Sequence, residues 1–200
     1  NFSTIVLAIR EGRRIYSNIK SFVTYLLAAN IGEVFIIALT ILTNFPLPLV
    51  PLQLLWLNIV TDSLPALALG TDKSEKDTME KKPRNPKETI LHNTLTFIAV
   101  AGIIATIVTF AAFFYGLGFD LDKGITLNFL NSREGFNFAS KARTMAFTTL
   151  VVFELMFVFS CRGENKGILE RNPLSNKFLL KMVAFSFILQ LFAIYGPHLI

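Results

Sequence analysis

The sequence is poor in charged residues and contains almost no cysteine. Only 16% of its 200 residues are Asp, Glu, Lys or Arg, whereas about 25% is usual for a soluble globular chain. The single cysteine, Cys161, offers no disulfide framework and is interpreted as a bystander rather than a redox centre. The low charge content, together with the 52% of residues that are hydrophobic, indicates a membrane protein.

Five stretches are long and apolar enough to cross a hydrocarbon core of about 30 Å. These stretches are Ser21–Thr43, Leu49–Gly70, Asn93–Tyr115, Arg143–Cys161 and Phe178–Tyr195. The predicted fold class is an all-α membrane protein, a bundle of about five transmembrane helices. The predicted partner of this apolar surface is the lipid bilayer, and the chain should be an integral multi-pass protein.

The positive charge of the chain is arranged as a topology signal. The net charge is +5, and the basic residues collect before the first span, after the second span, and between the fourth and fifth spans. By the positive-inside rule these segments are cytoplasmic, whereas residues 44–50 and 116–142 lie outside. Because the basic residues fall in loops rather than on one face, no nucleic-acid partner is predicted.

Residues 1–20 continue the first span towards the amino terminus. Their less polar residues recur at helical spacing, which predicts a helix of about 40 residues, or ~60 Å, through both segments. That length is about twice the thickness of the hydrocarbon core, so residues 1–20 should form a cytoplasmic stalk and residues 21–200 the transmembrane domain. The alternative is a free amphipathic terminus on the membrane surface.

The second span carries polar residues on one helix face. Asn58, Thr61 and Asp62 are spaced by three and four residues, so their side chains share that face. Pro65 cannot donate a hydrogen bond to the carbonyl of Thr61, and the helix should loosen beside the acid. The alternative is that Asn58 and Thr61 join neighbouring helices and that Pro65 is an ordinary kink. Hydrogen bonds between helices need no negative charge, so the presence of Asp62 favours an ion site.

The first span contains a second acid within its apolar sequence. Asn30 and Glu33 share a helix face, and Gly32 between them permits close approach of another helix. The link at residues 44–50 is short, uncharged and rich in proline, which keeps the first two spans adjacent. Asn30 and Glu33 should therefore face the polar residues of the second span.

The fourth span offers two further acids. Glu154 lies within the apolar run and Glu164 at its inner edge. They are separated by about 15 Å along a helix, so at most one can reach the pocket of Glu33 and Asp62. Depth in the membrane favours Glu154.

These donors are mainly oxygen atoms, which favour a hard cation over zinc or copper. Calcium fits best because it accepts six to eight oxygens in irregular geometry, although a sodium or proton site could use the same atoms. Carboxylates that lose their cation in a buried site repel one another. Protons should replace the ion and move in the opposite direction.

At these residues the chain resembles the P-type ATPases, and among them the calcium pumps of the sarco/endoplasmic-reticulum type. The most specific segments are NIGE at residues 30–33 and LLWLNIVTDSLPALALG at residues 54–70, with TMAFTTLVVFELM at residues 144–156 as a weaker match. The opening segment looks like the end of that family's phosphorylation domain running into its fifth transmembrane helix. The five spans would then be helices five to nine of ten.

The resemblance implies a set of calcium ligands. Asn30, Glu33, Thr61 and Asp62 would surround one calcium ion, and Asn58 and Asp62 would contribute to a second. The family's eighth helix supplies another acid. When that helix is aligned without a gap along the matching TMA and FELM segments, this acid falls on Glu164. The sequence-based ligand set consists of Asn30, Glu33, Asn58, Thr61, Asp62 and Glu164.

The chain departs from the family pattern in what it lacks. It has no DKTGT phosphorylation sequence and no nucleotide-binding domain, so ATP and Mg²⁺ would act in other domains of the pump and this chain alone should be inactive. Its expected partners are the missing amino-terminal helices and cytoplasmic domains. The membrane would be the plasma membrane in a bacterium and otherwise that of an internal calcium store. Alternatives are a proton-coupled cation exchanger, or a P-type pump for Mn²⁺ or Na⁺.

Overall fold

The computed structural model describes residues 1–73, 78–80, 83, 88–91, 94–118, 130, 132–162 and 175–196. Within these residues the protein is helical and contains no β-strand. The helices are α1 (Phe2–Thr43), α2 (Pro51–Gly70), α3 (Leu95–Gly116), α4 (Arg133–Phe138), α5 (Ser140–Ser160) and α6 (Lys177–Tyr195). All except α4 are long and apolar enough to cross a membrane, which confirms the predicted all-α membrane fold. The predicted boundaries of the second to fifth spans agree with the observed helix bounds to within three residues.

Helix α1 is one continuous helix of 42 residues. Its continuity agrees with a helix that extends well beyond the first span, while the assignment of residues 1–20 to a cytoplasmic stalk stays a prediction. The helix ends at Asn44, whose backbone adopts the left-handed conformation with φ 54°, and whose N–H bonds back to carbonyls of the last turn. The proline-rich link then leads into α2, which begins at Pro51, where no backbone N–H is required.

Helices α1 and α3 approach each other closely at two glycines. A Cβ atom placed on Gly32 would lie 3.1 Å from the Cβ of Ala105, and one on Gly102 would lie 3.3 Å from the backbone nitrogen of Gly32. Helix α3 also packs along α5, so it lies between α1 and α5. The absence of side chains at the glycines lets the two backbones meet, and α3 serves as scaffold.

The interior of the bundle is formed by apolar side chains from different helices. One cluster joins Ile36 of α1, Leu57 of α2, Ala105 of α3 and Leu150 of α5. Large apolar side chains such as Ile107 are exposed on the outside of the bundle, as expected for a surface in contact with lipid. Helices α1, α2 and α5 therefore share an interior in which polar side chains are removed from solvent.

Candidate cation site between helices α1, α2 and α5

Helix α2 changes its winding at the polar residues. Leu57–Asp62 form a π-helical segment between the α-helical segments Pro51–Trp56 and Ser63–Gly70. Pro65 follows this segment and cannot donate to the carbonyl of Thr61. The predicted loosening of the helix beside the acid is confirmed, and π-helical turns of this kind occur frequently at functional sites.

The backbone oxygens of the π-helical segment accept hydrogen bonds from other helices. The hydroxyl of Tyr25 on α1 donates to the carbonyl of Thr61 at 3.4 Å, and the hydroxyl of Ser186 on α6 donates to the carbonyl of Val60 at 3.1 Å. Irregular backbone at membrane depth is tolerated only where it is satisfied by protein or water. Tyr25 and Ser186 therefore hold the irregular segment in place from two sides.

The two acids of the first two spans lie in the shared interior. Glu33 is buried, and its Oε2 accepts a hydrogen bond of 2.9 Å from the amide nitrogen of Asn58. Asp62 is only 1% exposed, and its Oδ1 lies 3.3 Å from the hydroxyl of Tyr25, whose single proton it shares with the carbonyl of Thr61. The predicted meeting of the polar faces of α1 and α2 is confirmed for Glu33 and Asn58.

Helix α5 places a third acid beside this pair. Glu154 is 1% exposed, and its carboxylate interacts electrostatically with those of Asp62 and Glu33. Neither of its carboxylate oxygens has a hydrogen-bond partner among the described residues. This is the acid that depth in the membrane favours. Glu164 lies outside the described residues, so its assignment as a ligand stays a prediction.

Several other buried oxygens of the site lack a donor as well. Within the described part of the chain, no hydrogen-bond partner is present for Glu33 Oε1, Thr61 Oγ1 or Asp62 Oδ2. A buried carboxylate oxygen without a donor is costly, since desolvation of the charge is not compensated. A bound cation would compensate it.

The remaining predicted ligand, Asn30, is only partly buried. Its amide nitrogen donates to the carbonyl of Leu26 in its own helix at 2.7 Å. This bond uses the nitrogen and leaves the amide oxygen for another partner. That hydrogen bond lies within α1, so it does not join Asn30 to the polar residues of α2.

The described acids do not by themselves form a complete metal site. In the described residues, no group of three or more His, Cys, Asp or Glu side chains is arranged to hold a metal ion. Because calcium needs six to eight oxygens, a calcium ion here would need amide, hydroxyl, carbonyl or water oxygens as well as the acids. The π-helical segment supplies such groups at Asn58 and Thr61.

The two hydroxyl donors that support the π-helical segment were not predicted from the sequence. Tyr25 and Ser186 are single polar side chains in apolar spans, a weak signal because such residues occur in many transmembrane helices. Pro65 was the stronger signal. A proline in a span releases a carbonyl, and a donor from a neighbouring helix should then be sought.

Comparisons with known proteins identify the family and relatives of the chain. Residues 46–200 match the family model described as "Cation transporting ATPase, C-terminus". The chain is similar to the "Calcium-transporting ATPase" of Bacillus subtilis (strain 168), with 43% identity over 200 residues, which cover 100% of this chain and 21% of that protein. It is also similar to the "Calcium-transporting ATPase 1" of Bacillus cereus (strain ATCC 10987 / NRS 248), with 35% identity over 199 residues, which cover 100% of this chain and 22% of that protein. The chain therefore spans about a fifth of the length of the curated relatives it matches.

Proposed function

Because the chain belongs to the family of cation-transporting ATPase C-termini, we propose that it is the transmembrane ion-binding portion of an ATP-driven calcium pump. The resemblance to the P-type ATPases noted in the sequence is confirmed at the level of the family. Both relatives bear the name calcium-transporting ATPase, which supports calcium as the cargo. The cation would leave the cytoplasm.

The observation that carries this proposal is the set of buried oxygens that have no donor in the described residues. They belong to Glu33, Thr61, Asp62 and Glu154, and thus to three helices that pack together. Soft metals favour nitrogen and sulfur ligands, whereas calcium favours carboxylate, carbonyl and water oxygens. The oxygen-only character of the site supports calcium as its guest.

The proposed ligands come from α1, α2 and the fourth span. Asn30 and Glu33 would act from α1, and Asn58, Thr61 and Asp62 from α2. For the fourth span, the burial of Glu154 and its electrostatic interaction with Asp62 support Glu154. Glu164 stays a prediction from the resemblance.

Transport requires that the affinity of the site for calcium differ between two conformations. Two contacts of the site join α1 to α2 and are suited to change: the bond between Asn58 and Glu33, and the bond between Tyr25 and Asp62. A displacement of α1 relative to α2 would break both and alter the positions of the two acids. We propose that residues 1–20 transmit such a displacement from a phosphorylation domain elsewhere in the pump, where ATP and Mg²⁺ would act.

Proton counter-transport is part of the proposal. After the cation leaves, Glu33, Asp62 and Glu154 would remain as neighbouring negative charges in a medium of low dielectric constant, where like charges repel strongly. Uptake of protons by these carboxylates would remove the repulsion. Calcium transport into sealed vesicles should then depend on the internal pH and be accompanied by outward movement of protons.

The test is transport by the full-length protein in sealed vesicles, with radioactive calcium as the probe. We expect calcium uptake that requires ATP and that a pH gradient alone does not drive. Uptake driven by a pH gradient without ATP would instead support a self-sufficient exchanger. Inhibition of calcium uptake by Mn²⁺ or Na⁺ at concentrations below that of calcium would instead indicate that one of those ions is the transported cation.

A further inference from the structure

A buried ion pair lies beyond the candidate cation site, where α2 and α5 end. The Nε of Arg162 and the Oδ2 of Asp72 are 2.8 Å apart, and the two side chains are only 2% and 7% exposed. A second nitrogen of Arg162 donates to the other oxygen of Asp72 at 3.3 Å and to the hydroxyl of Ser175 at 2.9 Å. The guanidinium thus joins the end of α5 to the end of α2 and to the residues that precede α6.

Helices α1 and α6 hold the same end of α2 through its backbone. On α1, the amide nitrogen of Asn18 donates to the carbonyls of Gly70 and Asp72 at 3.1 and 2.9 Å. The amide nitrogen of Asn176, which caps α6, donates to the carbonyl of Ala68 at 3.4 Å. We call this set the α2 end cluster; it consists of Asn18, Asp72, Arg162, Ser175 and Asn176.

Stability alone is a weak reason for a buried ion pair. Desolvation of two charges costs several kcal/mol per ion, and well-packed apolar residues of similar volume often stabilise a protein equally well. A two-nitrogen bond between a guanidinium and a carboxylate differs from apolar packing in its directionality, because it fixes both distance and orientation. The α2 end cluster is therefore better suited to setting a position than to adding stability.

The position it sets is the axial position of α2 against α1. Both helices continue from the cluster to the candidate cation site, where Asn58 of α2 donates to Glu33 of α1 at 2.9 Å. A slip of one residue along a helix is about 1.5 Å, which is enough to break a hydrogen bond of that length. The register fixed at the α2 end cluster thus determines whether the two polar faces meet.

We propose that Asp72 and Arg162 are positioning residues for cation binding. Their ion pair holds α2 in register with α5, which carries Glu154, while Asn18 in the same cluster holds α2 in register with α1. This inference rests on the proposed function, since it concerns the affinity of the same site. Neither residue touches the proposed ligands. Their effect would travel through α2 and appear as a change in calcium affinity.

The experiment compares variants of the full-length protein by the calcium dependence of phosphorylation by ATP, together with the midpoint of thermal unfolding. In Asp72→Asn, the backbone carbonyl that accepts from Asn18 is retained and only the ion pair is lost. Arg162→Lys keeps the charge but loses the two-nitrogen geometry. We expect both to raise the calcium concentration for half-maximal phosphorylation by about 2- to 30-fold.

A double apolar variant, Asp72→Leu with Arg162→Met, separates position from stability. Apolar replacement of a buried pair often preserves folding, so its thermal midpoint should stay near that of the wild type. Its calcium dependence should remain shifted, because apolar packing does not fix the register. The control is Glu134→Gln, which neutralises an exposed acid of α4 outside the candidate cation site and the α2 end cluster and should change neither value.

The outcomes are distinct. A shifted calcium dependence in the stable double variant supports the proposal even if Asp72→Asn fails to fold. A double variant with the calcium dependence of the wild type overturns it, because the pair would then act through stability alone. A wild-type protein that does not respond to calcium overturns the proposed function and, with it, this inference.

Discussion

Two buried aspartates, Asp62 in helix α2 and Asp72 just after its end, differ in the way their oxygens are satisfied. Both oxygens of Asp72 accept hydrogen bonds from Arg162, at 2.8 and 3.3 Å. In the middle of the bundle, Asp62 accepts one hydrogen bond, from Tyr25, and its second oxygen has no donor in the described residues. Glu154 beside it lacks a donor on either oxygen within the same part of the chain.

The difference separates a charge that holds the fold from charges that are arranged for a ligand. A carboxylate paired with a guanidinium adds a fixed contact between helices, and its loss leaves the other charge buried and uncompensated. A carboxylate without a donor adds an energetic cost to the protein alone, and this cost is removed when a cation binds. Neutralising the paired acid should therefore lower stability more than calcium affinity, whereas neutralising an acid without a donor should lower calcium affinity without lowering stability.

The largest expected effect is the loss of calcium dependence in Asp62→Asn and Glu33→Gln. Each amide keeps the volume of the side chain but removes a charge that the cation would neutralise. The calcium concentration for half-maximal phosphorylation of the full-length protein should rise by about 100-fold or more, or the response should vanish. The midpoint of thermal unfolding should stay constant or rise, because a buried charge without full compensation has been removed.

Asp72→Asn provides the contrast in the same two measurements. It should lower the thermal midpoint, since Arg162 loses its buried partner, and shift the calcium dependence far less than Asp62→Asn. If Asp62→Asn instead lowered the thermal midpoint as strongly and left the calcium dependence unchanged, the distinction between the two aspartates would be wrong.

The next effect separates the two acids of the fourth span. Glu154→Gln should raise the half-maximal calcium concentration by about 10- to 100-fold, a range typical of a perturbed metal site. The reason is the burial of Glu154 beside Asp62. If Glu154 is the ligand, Glu164→Gln should shift the half-maximal calcium concentration by less than Glu154→Gln does. The reverse order would favour the assignment that the family resemblance implied.

A smaller effect is expected from the proline that follows the π-helical segment. Pro65→Ala restores a backbone N–H that can bond to the carbonyl of Thr61, in competition with Tyr25. The segment should become more regular, and the calcium affinity should fall by about 10-fold as the side chains of Asn58 and Asp62 rotate. The matched control is Pro51→Ala at the first position of α2, where the N–H has no helical partner. Equal effects of the two variants would contradict this role of Pro65.

The smallest effect concerns the hydroxyl that supports the segment from α6. Ser186→Ala removes the donor to the carbonyl of Val60 and leaves a buried acceptor. One neutral hydrogen bond contributes about 0.5 to 1.5 kcal/mol, so the calcium affinity should fall by about 2- to 10-fold. Ser186→Thr keeps the hydroxyl and should retain the calcium affinity of the wild type. A loss that Ser186→Thr does not reverse would indicate a packing defect.

Much of the fold followed from the sequence because hydrocarbon imposes strict conditions on a chain. Spans of sufficient length and apolarity had to be helices, and the glycine in the first span allowed the close approach to α3 that is observed. The loosening beside Asp62 followed from the missing N–H of Pro65. Each of these features depends on local chemistry, which the sequence records directly.

The features that escaped prediction depend on contacts between distant segments. Neither the ion pair of Asp72 with Arg162 nor the bond from Ser186 to Val60 has a local pattern, since 90 and 126 residues separate the partners. The choice between Glu154 and Glu164 depended on where the fourth span starts, and helix ends are the least certain part of a sequence-based assignment. The observed helix begins at Ser140, and Glu154 is buried within it.

The proposed cation site is tested most directly by an experimental structure of the full-length protein with bound calcium, in which the distances from the ion to the carboxylate oxygens are measured. We expect a calcium ion between α1, α2 and α5, with oxygens of Glu33, Asp62 and Glu154 at about 2.3 to 2.6 Å from it. A calcium ion bound elsewhere, with Asp62 and Glu154 still lacking a partner, would contradict it.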